Sequence, residues 1–274
     1  MNYYLFPKFF NHLKMEELME LCANLGINGP TALIRDGYWI SPSNYKAELP
    51  GYIKAAEMYG LKVKYAEVPY GMQYLAENPD ILKFLSDNGI CFVRVGYVDK
   101  NVVEARSLYG LTRNLAEKIA ETAEKSNIKA IIQLHGGCYP HNATSAYPIV
   151  KELNPNYIGI KIDPGNNYNQ EGYEDFSYQV DLLREYIGVL GAKDACSMRV
   201  AISDEGDKGW ERFFVPAFEG QSNYEKLFVD LKRVGFNGPI ILMPFYDTDN
   251  FNLLLTKFKK EINYFKKIEK HTFL

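Results

Sequence analysis

At 274 residues, with 47% hydrophobic and 24% charged side chains, the chain can bury a large core, and its composition carries no mark of disorder. A formal net charge of −3 with both signs spread along the chain gives no field for nucleic acid or an anionic membrane, which leaves small neutral or anionic metabolites as partners. Cys22, Cys91, Cys138 and Cys196 form no C-x-x-C pair, the first eight residues hold no leader cleavage pattern, and no apolar run approaches the ~20 residues of a bilayer span. Together these features predict a cytoplasmic protein with reduced thiols.

Residues 2–10 read as a first strand, followed by a helix over 14–23 whose apolar spacing stops at Gly26. A second strand over 27–34 leads through an irregular segment with Trp39 and Pro42 to a helix over 49–59, ended by Gly60. The third strand is 61–68, the next helix 79–88, and the fourth strand 90–98, with Arg94 inside an otherwise apolar run. A long amphipathic helix over 107–127 precedes the fifth strand at 130–137, a helix over 145–153 precedes the sixth at 156–163, and a helix over 176–187 precedes the seventh at 189–194. Residues 196–221 read as the longest irregular segment, followed by a helix over 223–234, an eighth strand over 238–245 and a closing helix over 250–267. The lysines of that last helix alternate with Phe258, Ile262, Phe265 and Ile268, which is the pattern of a solvated helix face.

Eight strands alternating with eight helices predict one domain over 1–274, a single (β/α)8 TIM barrel, because parallel strands need crossover helices of fixed hand. A doubly wound open sheet is the rival, but no G-x-G-x-x-G or Walker motif follows the first strand to cradle a nucleotide.

Three consecutive strands end in polar tips, at Gln133 and His135, at Asp163 and at Lys193 with Asp194, so one shared site at the barrel mouth is expected. His135, ahead of Gly136 and Gly137, is an acid/base candidate or a hydrogen-bonded structural histidine. Asp163 is a base, a hydroxyl-binding group or a cap for the turn at Pro164, while Lys193 and Asp194 are an ion pair across the mouth or a Schiff-base lysine beside a carboxylate. Inside the fourth strand Arg94 needs an anion, and Glu67 on the adjacent strand supplies one, whether to orient a substrate or as a structural pair. Asp207, Trp210 and Arg212 follow the seventh strand, where barrels often hold phosphate, although a surface salt bridge explains them equally. His12 and His141 have no neighbours at metal-ligand spacing.

The run Leu134-His135-Gly136-Gly137, then Asp163-Pro164-Gly165-Asn166, Lys193-Asp194 and Gly235-Phe236-Asn237-Gly238-Pro239, with Lys62 to Pro69 as a third strand, resembles the xylose isomerase-like barrels, a family of sugar and sugar-phosphate isomerases, epimerases and inosose dehydratases. The resemblance implies a divalent metal held by glutamate, aspartate, histidine and glutamate, positions that fall here on Gln133, Asp163, Gly191 and Met243. With one ligand kept and both proton-moving glutamates replaced, no cofactor is expected, and a metal only if residues outside these positions, such as Glu205 or Asp207, are recruited. The expected function is an isomerase or epimerase acting by proton transfer next to a carbonyl on a sugar, polyol or sugar phosphate. His135, Asp163 and Lys193 carry that chemistry, and Glu67, Arg94, Gln133, Asn166, Asp194, Trp210 and Arg212 bind. The alternative is an inactive carbohydrate-binding or sensing relative, and a phosphodiester-cleaving relative is a more distant third. Family members often self-associate, so a homo-oligomer stays open.

Overall fold

The computed structural model describes residues 1–99, 104–170, 173–201, 206 and 208–273. Eight short parallel strands form the barrel: Tyr3–Leu5, Gly29–Pro30 continued by Ala32–Leu33, Tyr65–Glu67, Phe92–Gly96, Lys129–Gln133, Ile158–Ile162, Ile187–Ala192 and Ile240–Leu242. They pair in chain order, and the first also pairs with the last, Tyr4 opposite Ile241. The second strand is interrupted at Thr31: its first half pairs with the first strand and its second half with the third, which closes the ring.

Residues along the strands divide between an outer core and the barrel interior. Ile158, Ile160 and Ile162 face the surrounding helices within the large outer core, whereas Tyr4, Leu33, Tyr65, Ile131, Val189 and Ile241 fill the barrel interior. Alternation along Ile158–Ile162 turns Lys161 inward, where it is fully buried. Helix starts are fixed locally, for example by Asn142, Asp175 and Asn223, whose side chains accept from the backbone amides of Ser145, Tyr178 and Lys226.

The single barrel expected from the sequence is what forms, with four differences of detail. An antiparallel ribbon of Asp194–Ala201 with Lys208–Val215, Arg199 opposite Trp210, lies largely within 196–221, the segment read as irregular. Most of its residues are solvated, so it lacks the apolar alternation that marks a half-buried strand. After the sixth strand, Pro164-Gly165 opens a short helix, Pro164–Asn169, in place of a plain turn, because proline at the first helical position loses no hydrogen bond. The helix Tyr45–Met58 starts a turn early and runs through Pro50, and a further helix, Met72–Glu77, precedes Asp80–Asp87.

The closing helix Phe251–Phe273 locks the barrel from outside. Tyr3 donates its hydroxyl to Glu269 at 2.8 Å, and the chain's N-terminal ammonium pairs with the same carboxylate. Deeper in this helix, fully buried Glu261 accepts from the Ala217 amide at 2.7 Å and the Tyr246 hydroxyl at 2.8 Å. Burial pushes its carboxyl up to about 8 against those two stabilising bonds. A carboxyl whose folded value is raised favours the fold most below its unfolded value of 4.5, and that contribution is lost as pH rises through about 8. Glu261→Gln should therefore show a flatter stability profile. Relative to the variant, the parent should lose on the order of a few kcal/mol between pH 5 and 9 in urea titrations; parallel profiles would contradict this.

Candidate active site at the barrel mouth

The carboxyl ends of the strands open into a cavity of about 380 Å³, within the ~300–1,000 Å³ of small-molecule sites. At its floor runs a chain of charged and amide groups. Lys161 Nζ lies 3.4 Å from Glu67 Oε1, and Glu67 Oε2 lies 3.7 Å from Arg94 Nε. Arg94 Nε donates to Gln133 Oε1 at 2.7 Å, and Gln133 Nε2 donates to Asp163 Oδ2 at 3.2 Å. That same oxygen faces Lys193 Nζ at 3.5 Å, and Lys193 in turn donates to Asn166 Oδ1 at 2.6 Å. Asp163 Oδ1 accepts from the Asn166 amide at 3.0 Å, so this carboxylate caps the short helix while it balances the lysine.

Lys193 is 4% exposed, with the rings of Phe214 and Phe245 at 4.7 and 4.5 Å. Burial pulls its ammonium below the ordinary lysine value, and Asp163 pulls it back up. His135 borders the cavity, its ring 5.0 Å from that of Tyr97. Its Nδ1 is 2.6 Å from the Gly136 carbonyl, which only accepts, so Nδ1 carries the proton. Its Nε2 faces Gln170 Nε2 at 3.1 Å, and the Gln170 amide is oriented by the Gly136 N–H on its oxygen at 2.6 Å. The imidazole is thus neutral, with its lone pair on Nε2. Burial lowers its pKa, which the Gly136 carbonyl opposes and Lys193 reinforces.

Of the residues singled out in the sequence, Glu67, Arg94, Gln133, His135, Asn166 and Lys193 share this cavity. Asp163 lies just beneath the lining and acts through Lys193 and Asn166. Asp194 does not pair with Lys193 as one of the two sequence readings had it: it accepts from Ser222 Oγ and N at 2.7 and 2.9 Å and from the Ala195 amide, clamping the 216–222 turn to the ribbon. Burial raises its carboxyl to about 6. Trp210 is 69% exposed on the ribbon under the Arg199 guanidinium, and Arg212 donates to the Asn169 carbonyl, bordering a separate cleft with Tyr168 and Tyr173. Asp207 and Glu205 lie outside the described residues. Sequence reasoning missed Lys161, Lys8, Arg35 and Gln170. Lys161 had a signal, since it shares strand parity with Asp163, and Arg35 directly follows the second strand.

The residues at the family's ligand positions do not fit a divalent ion. Gln133 is an amide committed to Arg94 and Asp163, Met243 offers a buried thioether, and the one carboxylate faces an ammonium. At Gly191 an added Cβ would stand 2.8 Å from Lys161 Cε and 3.3 Å from Asp163 Oδ2, so the space a histidine needs is filled by the lysine stem. Among the described residues no group of three or more His, Cys, Asp or Glu side chains converges on an ion-sized point. Gly191→His should therefore lower the melting temperature and gain no stabilisation from Mn²⁺ or Zn²⁺; a metal-dependent upward shift would contradict this fit.

Closed ring, polar mouth and charged floor define a (β/α)8 barrel of the kind that carries its chemistry at the strand ends. The family model for xylose isomerase-like TIM barrels matches residues 71–268, and the chain belongs to that family. Similar solved structures include a D-psicose 3-epimerase with D-tagatose from Clostridium cellulolyticum H10, 14% identical with a TM-score of 0.73 over 98% of this chain and 99% of that one. The IOLI protein with a bound zinc atom is also 14% identical, TM-score 0.71, over 99% of both chains. A xylose isomerase-like TIM barrel protein from Mycobacterium smegmatis in complex with magnesium is again 14% identical, TM-score 0.64, over 95% of this chain and 97% of that one. No curated protein sequence matches the chain. Among the described residues no helix is long and apolar enough to cross a membrane.

Proposed function

We propose that this barrel is an isomerase- or epimerase-like enzyme that moves a proton next to the carbonyl of a sugar, polyol-derived ketose or sugar phosphate, using its own side chains where relatives hold a metal. The observation that carries the reading is that a neutral imidazole, His135, and two cations, Lys193 and Arg94, line one cavity. The substrate carbonyl oxygen accepts from Lys193 and Arg94, whose charges stabilise the oxyanion as it develops. His135 Nε2, released from Gln170, takes the proton from the adjacent hydroxyl-bearing carbon to leave an enediolate. Isomerisation follows when the hydroxyl proton on that carbon passes to the former carbonyl oxygen and a proton returns to the former carbonyl carbon, and epimerisation when a proton returns to the opposite face of the first carbon. Asp163, Asn166 and Gln133 are positioning residues for the two cations.

This assignment requires His135 neutral and Lys193 protonated. Both values are lowered, so kcat/KM should be bell-shaped, with its acid limb below the ordinary histidine value of 6.5 and its alkaline limb below the ordinary lysine value of 10.5. A pH-independent profile across that range would count against it. The direct test is incubation of ketose and aldose sugars and their phosphates with the protein in D₂O. One deuteron at the carbon beside the carbonyl is expected by NMR. Tight binding of one of these sugars with no incorporation would instead support a carbohydrate-binding or sensing relative.

A further inference from the structure

We infer that Lys8 and Arg35, on the loops that follow the first and second strands, form a seat for an anionic oxyacid group of the substrate, a phosphate ester or a carboxylate, at the outer end of the mouth cavity. This deepens the proposed function and rests on it for the nature of the remaining ligand. Both side chains line the cavity with His135, Lys193 and Arg94.

The charge balance points to an anion. Glu67 is committed to Lys161 and Arg94, and Asp163 to Lys193, while among the described residues no carboxylate oxygen lies within 4.0 Å of the Lys8 or Arg35 charge. The cavity and its floor thus bring five cationic side chains, Lys8, Arg35, Arg94, Lys161 and Lys193, against the carboxylates of Glu67 and Asp163, in a protein whose formal net charge is −3. Like charges gathered in a partly enclosed cleft are costly unless a counter-charge arrives, and such a cleft raises the local concentration of anions.

The Lys8 side chain and the Arg35 backbone are also held in place. The Lys8 ammonium sits over the rings of Phe9 and Phe245 at 5.2 and 4.8 Å. Its carbonyl accepts from the Tyr38 hydroxyl at 2.7 Å, and the Tyr38 amide donates to the Arg35 carbonyl at 3.2 Å, so Tyr38 ties the two loops together. The Arg35 amide donates to the Ile40 carbonyl at 2.8 Å, closing a turn in which Gly37 takes a φ of +80°. Burial, and after it the neighbouring Arg35 charge, lowers the Lys8 pKa, as expected for two cations that share a space without a counter-ion. Asp36, next in the chain, is exposed, and its field falls on Tyr70.

The test is calorimetric titration of the intact protein and of Lys8→Met and Arg35→Met with inorganic phosphate, D-fructose, D-fructose 6-phosphate and D-glucuronate. Phosphate and at least one anionic sugar should bind at least about tenfold more tightly than D-fructose, and each substitution should weaken the anions by about tenfold to a hundredfold while leaving D-fructose unchanged. Affinity for the anions should fall as salt rises from 20 to 300 mM. Tight D-fructose 6-phosphate with weak D-glucuronate assigns a phosphate ester, and the reverse assigns a carboxylate. D-Fructose binding as tightly as the anions, anion affinities unchanged in both variants, or no binding by any probe would overturn the seat. Substitution-sensitive anion binding without deuterium incorporation into any sugar would keep the seat and remove the enzymatic reading, so the two failures are distinct.

Discussion

Lys193→Met is expected to destabilise the fold by about 3–5 kcal/mol, because it strands the Asp163 carboxylate, 3% exposed, without the ammonium 3.5 Å away. The methionine matches the lysine stem between Phe214 and Phe245, so the loss is electrostatic rather than a packing defect. The double variant Lys193→Met with Asp163→Asn should recover much of it, since asparagine keeps the helix cap to the Asn166 amide without a charge. Denaturant titrations of the two single variants and the double variant measure this coupling. A Lys193→Met protein as stable as the parent, or a double variant no better than the single, would mean that the pair is not the anchor of the floor.

His135→Ala is expected to lower the rate of deuterium incorporation by about 10²–10⁴-fold, the usual contribution of a positioned general base, with ligand affinity and melting temperature near those of the parent. The ring is half-buried, its bonds run to Gly136 and Gln170 rather than to the charged floor, and its removal leaves the Lys193, Arg94 and Asp163 network intact. A purely structural histidine would show the opposite pattern, with melting temperature falling and the rate per folded molecule unchanged. The acid limb of the pH profile should vanish in this variant and the alkaline limb persist.

The barrel was legible because its strands are buried on both faces and read as apolar β-branched runs at regular intervals, from Ile131 and Ile132 to Ile240 and Ile241. Strand ends read too long in the sequence, since pairing spans two to six residues and the flanking residues that look like strand belong to the mouth loops. The ribbon of Asp194–Ala201 with Lys208–Val215 leaves little trace in the sequence because both of its faces carry polar groups, as in Ser197, Arg199, Glu211 and Arg212. Half of the site was visible as polar tips on apolar strands. What was not visible is how the charges divide among themselves: adjacency in sequence paired Lys193 with Asp194, whereas alternation around the barrel turns Lys193 toward Asp163 and Asp194 toward Ser222. Lys161 reads in the sequence as an ordinary strand residue, yet its ammonium lies at Glu67 and its stem beside Gly191 fills the space a metal-ligating histidine would need.

The most direct test of the central claim is deuterium incorporation into a turned-over sugar or sugar phosphate in D₂O, measured before and after exhaustive treatment with a chelator. Incorporation at an unchanged rate, lost in His135→Ala, is the result expected of a site whose cations are Lys193 and Arg94. Incorporation that the chelator abolishes and Mn²⁺, Mg²⁺ or Zn²⁺ restores would contradict it.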